Sequence, residues 1–162
     1  MQENTTVIFE MENGGTFKVE LYPEHAPETV ENFVNLVEEG FYDGLTFHRI
    51  IPGFMTQGGD PEGTGMGGSG TNITGEFLQN GITNNLKHER GVISMARSMM
   101  PNSASSQFFI CFEDAPHLDG AYAAFGQVTE GMEVVDEMAL VPTDYSDKPL
   151  TPVVMKKVYI EE

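Results

Sequence analysis

Tryptophan is absent from this 162-residue chain, cysteine occurs once, and only eight lysines and arginines stand against 25 aspartates and glutamates. Each shortage excludes something. A formal charge of −17 repels nucleic acid and anionic lipid, so neither is expected as a partner. The excess acid fits plain solubility, an acidic docking face for basic clients, or adaptation to high salt. Cys111 has no partner for an internal disulfide, and its neighbours Ile110 and Phe112 suggest a core or near-core residue in a reducing, cytoplasmic setting. No apolar run approaches the roughly 18 residues of a membrane span. Residues 1–4 lack the basic start and apolar stretch of a secretory signal, so the mature chain is expected to begin near Met1. Without secretion, the glycosylation patterns Asn4-Thr5-Thr6 and Asn72-Ile73-Thr74 have no use.

What is present suffices for a core. The chain is 40% hydrophobic, with 11 Phe and 5 Tyr, which suits one compact domain over residues 1–162. Val7, Phe9, Met11 and then Phe17, Val19, Leu21 alternate at period two around Asn13-Gly14-Gly15, the pattern of a β-hairpin. Pro27 sits where a first helical turn accepts it, and Val30, Phe33, Val34 and Val37 share one face before Gly40. Further strands are expected at 45–51, 54–57, 91–96, 106–112, 123–128 and 153–161, and a second helix at 132–140. Eight short strands and two helices predict a mainly β fold, a closed eight-stranded antiparallel β-barrel capped by two α-helices. A monomer is expected.

Three motifs suggest chemistry without completing it. Gly63-Thr64-Gly65-Met66-Gly67-Gly68 fits a dinucleotide-binding pattern, but Thr71-Asn72-Ile73-Thr74-Gly75 follows where a helix N-terminus is required, so a flexible surface loop is expected. His25, His48, His88 and His117 lack ligand spacing, and with one cysteine no metal or other cofactor is expected. The serines between Ser94 and Ser106 have no nucleophile elbow and no evident base.

The most distinctive feature is an arginine set among apolar strands. Period two sends Gln107, Phe109 and Cys111 to one face of their strand and Phe108, Ile110 and Phe112 to the other, so one face fills the barrel while the other can meet a ligand. Phe54, Met55, Phe109 and Leu118, edged by Arg49 and Gln57, would then form an apolar patch with hydrogen-bonding groups at its margin. From spacing alone the aromatics serve equally as barrel core, and Arg49 as a surface ion pair.

The runs Phe47-His48-Arg49-Ile50-Ile51-Pro52-Gly53-Phe54-Met55-Thr56-Gln57-Gly58-Gly59-Asp60, Ser106-Gln107-Phe108-Phe109-Ile110 and Leu118-Asp119-Gly120 resemble the cyclophilins, barrel-shaped peptidyl-prolyl cis-trans isomerases. The resemblance spans nearly the whole chain. It implies a proline-binding groove at Arg49, Phe54, Met55, Gln57, Ala96, Gln107, Phe109 and Leu118, with Arg49 as the principal catalytic residue. His117 and Tyr122 stand where the eukaryotic pattern has Trp and His, which implies weak cyclosporin binding while both still edge the groove. Shorter connections and Ser94-Met95-Ala96-Arg97 look like the compact bacterial or archaeal members. The implied activity is isomerisation of Xaa-Pro bonds in peptides and in unfolded or partly folded proteins, assisting folding. The alternative is a proline-binding scaffold or holdase without turnover.

Overall fold

The alternating apolar residues near the N-terminus form the predicted hairpin. In the computed structural model, which describes residues 4–161, β1 (Thr6–Met11) and β2 (Thr16–Leu21) pair antiparallel. Phe9 lies opposite Phe17, with ring centroids 4.6 Å apart and planes nearly parallel. The expected chain start at Met1 lies outside the described residues.

Pro27 opens α1 (Pro27–Glu38), whose buried face is Thr29, Val30, Phe33, Leu36 and Val37. Phe33 plugs the sheet's concave side, touching the rings of Tyr42, Phe108 and Phe125 at 5.1, 5.6 and 5.2 Å between centroids. The remaining elements are β3 (Phe47–Ile51), β4 (Met55–Gly58), β5 (Val92–Met95), β6 (Phe108–Cys111), β7 (Ala124–Glu130), α2 (Met132–Met138) and β8 (Met155–Ile160). Every predicted strand and helix is present, with ends shifted by a few residues.

All eight strands form one antiparallel sheet in the order β3-β4-β6-β5-β7-β2-β1-β8. The expected closed barrel is corrected here to a curled half-barrel, because β3 and β8, at the two ends of that order, share no ladder. A single bridge, Thr46 to Val154, joins the margins. Beyond it they part for a definite reason, since other groups take their amides. Ile50 N–H donates to Asp147 O at 2.8 Å, and Val158 N–H to Asp43 Oδ1 at 2.8 Å.

The sheet separates two apolar clusters. The larger lies inside the curl and includes Phe9, Phe17, Phe33, Ile93, Phe108, Ile110 and Phe125. The smaller lies on the opposite face and consists of Met55, Phe109, Cys111, Ala115 and Leu118, with Ile51, Phe54, Ala96 and Tyr122 packed against it. The alternation predicted for β6 is thus observed residue by residue.

Candidate active site

A local irregularity in β3 turns the key side chain outward. Phe47 pairs with Gly58 but Arg49 pairs with Gln57, so His48 is an extra residue, a β-bulge. In a regular strand Phe47 and Arg49 would share a face. The bulge breaks that rule: Phe47 is fully buried in the interior, while Arg49 is exposed on the outer face.

The register then aligns four strands. Arg49 on β3 lies beside Gln57 on β4, Gln57 beside Phe109 on β6, and Phe109 beside Ser94 on β5. The adjacent row runs Ile51, Met55, Cys111. Direct cross-strand neighbours have Cβ atoms only about 5 Å apart, so a cation, an amide and an aromatic ring stand in line without any loop placing them.

Above these rows is a pocket of about 300 Å³ lined by Arg49, Phe54, Met55, Gln57, Ala96, Arg97, Phe109, Leu118 and Tyr122. Eight of the ten residues singled out from sequence therefore line one cavity. Gln107 lines a neighbouring pocket of about 250 Å³ that shares Gln57, Ala96 and Arg97 with the first. His117 is exposed at the rim, its ring 5.6 Å from that of Phe54.

Arg49 Nη1 donates to Gln57 Oε1 at 3.5 Å, and the ion pairs among the described residues do not include it. In so acidic a chain, an exposed guanidinium without a carboxylate partner is held available for something else. Among the described residues, the surface ion pair left open by spacing is not formed. Phe109 is buried yet faces the pocket, stacking on His88 at 6.0 Å and meeting Tyr122 edge-on at 5.8 Å.

Two supporting features escaped the sequence reading. Arg97 lies between the rings of Phe77 and Tyr122, 4.6 and 4.7 Å from their centroids, and its Nε donates to Ala121 O at 3.2 Å. This fixes Tyr122 against the pocket. Behind Phe109, His88 Nδ1 lies 3.0 Å from Asp119 Oδ1 and its Nε2 lies 2.8 Å from Ser94 Oγ. Serine, histidine and aspartate in that order look like a hydrolase triad, and the base that sequence could not locate is His88. Ser94 is fully buried and His88 is 1% exposed, so no substrate reaches them. The group acts as a polar support beneath the aromatic floor. Cys111 is equally inert, burial pushing its thiol up to about 12.

Burial also holds His88 and His48 neutral. His88 is lowered from its ordinary pKa by desolvation, partly offset by Asp119. His48 is lowered by desolvation, with Asp60 opposing and Lys148 and Arg49 reinforcing. Neither ring nitrogen of His48 has a hydrogen-bond partner. In the unfolded chain both titrate near about 6.5, so below that pH the unfolded state binds more protons and stability falls as pH falls. Melting temperature should be level above about pH 7.5 and decline below about 6.5. His48→Leu should flatten the decline; an identical slope in that variant would contradict the assignment.

No cluster of His, Cys, Asp and Glu among the described residues could hold a metal ion. The arrangement offers an apolar ring pocket, the Arg49 guanidinium, which no carboxylate among the described residues pairs, and amide groups. It suits binding and polarising, and Ser94, which stands in line with His88 and Asp119, is buried away from the cavity.

Comparison with known proteins agrees with this geometry. A family profile described as cyclophilin type peptidyl-prolyl cis-trans isomerase/CLD matches residues 6–160. Peptidyl-prolyl cis-trans isomerase-like 1 of Neurospora crassa is 50% identical over 147 residues, covering 90% of this chain and 88% of the relative. Peptidyl-prolyl cis-trans isomerase B of Bacillus subtilis is 51% identical over 134 residues, covering 83% and 90% respectively. A crystal structure of a Cryptosporidium parvum cyclophilin type isomerase, solved in the presence of the dipeptide Ala-Pro, superimposes with a TM-score of 0.88 at 36% identity, covering 97% of this chain and 99% of that one. With the family profile matching nearly end to end and relatives at about half identity, the chain belongs to the cyclophilin-type peptidyl-prolyl cis-trans isomerases.

Proposed function

We propose that the 300 Å³ pocket receives the proline ring of an Xaa-Pro segment and that Arg49 stabilises the twisted peptide bond as it rotates. The observation that carries this reading is the unpaired Arg49 guanidinium, in register with Gln57 and Phe109 at the edge of an apolar cavity. The Cryptosporidium relative solved in the presence of Ala-Pro supports it.

The barrier has a simple origin. Amide resonance opposes rotation by about 18–20 kcal/mol, and an Xaa-Pro bond exchanges in tens to hundreds of seconds. At the twisted state resonance is lost and the proline nitrogen regains its lone pair. A donor aimed at that nitrogen or a nearby carbonyl favours this state over either planar one. Phe54, Met55, Phe109 and Leu118 hold the ring and exclude water, while Gln57 and Arg49 meet the flanking backbone. Nothing is made or cleaved.

We place the activity in the cytoplasm, on exposed proline segments of unfolded or partly folded proteins, where it assists folding. The single buried cysteine supports a reducing setting. Exchange of a short proline peptide with and without protein tests the reading directly, and a holdase would bind without accelerating exchange.

The rim bears on inhibitor binding. His117 contributes an exposed imidazole beside Phe54, with less apolar area than an indole. Cyclosporin should bind weakly. His117→Trp should tighten inhibition and alter small-peptide turnover much less, because residue 117 stands outside the pocket lining. Tight inhibition of the unmodified protein, or no gain in the variant, would show that position 117 does not control this edge.

A further inference from the structure

The glycine-rich segment after β4 carries no helix and no phosphate site, yet its amides converge on an anion. That anion belongs to the chain itself. Asp60 is 1% exposed, and its carboxylate accepts from Glu62 N–H at 2.8 Å, Thr64 N–H at 3.0 Å and Gly65 N–H at 2.6 Å. Gly65 adopts φ +91°, a conformation that disfavours other residues, and a Cβ on Gly67 would collide with the Asp60 carboxylate. The dinucleotide-like glycine spacing is therefore explained by a nest wrapped around an internal carboxylate. The loop expected to be flexible has a fixed centre.

The other side of the loop faces the site. Gln107 Nε2 donates to Gly65 O at 3.0 Å and to Gly67 O at 2.8 Å, which occupies both of its hydrogens. Its Oε1 is left to accept from Gln57 Nε2 at 2.8 Å. That bond turns the Gln57 amide so that Oε1 faces Arg49 Nη1. Each amide has only one orientation consistent with its neighbour, so the polarity set at the loop is transmitted to the guanidinium. If Gln107 were free to flip, Gln57 could present its NH2 group to Arg49, and two donors would face each other.

We propose that Asp60 is a positioning residue for isomerisation, holding the loop whose carbonyls orient Gln107, then Gln57, and through them Arg49. The inference rests on the reading of Arg49 as the group that meets the rotating bond. Asp60 touches no substrate. Its influence should appear in turnover and not in capture, because the apolar floor of Phe54, Met55 and Leu118 is independent of the loop.

The test is peptide exchange kinetics on Asp60→Asn, Gln107→Ala and the double variant, alongside Arg49→Ala and thermal unfolding of each. Asp60→Asn keeps the shape of the side chain but places an NH2 group against the loop amides. Its kcat should fall about tenfold with KM changed less than twofold. Gln107→Ala is only partly buried and spares the nest, so it tests the same linkage should Asp60→Asn fold poorly, and a similar fall in kcat is expected. The double variant should be no worse than the poorer single one, as for members of one chain. Unchanged kcat in both single variants, a rise in KM alone, or additive losses would overturn the proposal while leaving the site reading intact. If Arg49→Ala itself retained full activity, the site reading would fall, and the relay with it.

Discussion

Arg49→Ala should fold normally and lose roughly ten- to a hundredfold of the isomerisation rate, the effect of one charge-assisted hydrogen bond of about 1.5–3 kcal/mol made in the twisted state. Folding is spared because Arg49 is exposed, is not in the ion pairs of the described residues and makes one long hydrogen bond, to Gln57. Its removal leaves no buried group unsatisfied. The loss should fall on kcat, since in the proposed binding mode the apolar floor would hold proline whether or not the guanidinium is present. Arg49→Lys should recover only part of the rate, because a flexible ammonium lacks the planar guanidinium that could keep one N–H on Gln57 while aiming another at the substrate. Exchange spectroscopy on a proline peptide, with melting temperature as the folding control, checks all three statements. A folded Arg49→Ala protein with unchanged rate would remove the arginine from the mechanism.

Phe109→Ala should damage stability and turnover together. The ring is 5% exposed and forms the floor between the pocket and the buried His88, which it stacks upon. Truncating a buried phenylalanine costs about 3–5 kcal/mol, so a large fall in melting temperature is expected. In addition the cavity deepens, water enters, and the proline ring loses its main contact. Phe108→Ala provides the control. Phe108 is fully buried on the opposite face, against Phe9, Phe33, Tyr42 and Phe47, so it should destabilise comparably while sparing activity per folded molecule. If Phe109→Ala kept near-normal activity per folded molecule, its place in the pocket would be structural only.

The sheet-forming pattern was readable because period two is local. Val7, Phe9 and Met11, or Phe108, Ile110 and Phe112, declare their buried face without reference to the rest of the chain, and the structure places all six in one interior cluster. Closure was not readable. Whether β3 meets β8 depends on which groups take their amides, and Asp147 and Asp43 come from loops whose positions no short pattern encodes. The bulge at His48 is a similar case, since strict alternation would have sent Arg49 inward with Phe47. Most of the pocket followed from the resemblance and the alternation together, for the residues involved lie on strands. Arg97 and the Ser94, His88, Asp119 support were missed because their partners are remote in sequence, 24 residues from Arg97 to Ala121 and 31 from His88 to Asp119. The glycine-rich run was readable as a surface loop without a phosphate site, but not the role of Asp60, which lies only two to five residues before the amides it accepts from and which a nucleotide motif gives no cause to consider.

The central claim is that this pocket lowers the barrier to rotation about an Xaa-Pro bond by non-covalent means alone. Cis-trans exchange of a short Ala-Pro peptide, measured by magnetisation transfer with substoichiometric protein, without added metal or nucleotide, tests it most directly. The expected result is exchange far faster than the uncatalysed tens to hundreds of seconds, proportional to protein concentration and largely lost in Arg49→Ala. Peptide that binds the pocket but exchanges at its uncatalysed rate would contradict the claim and leave a proline-binding module in its place.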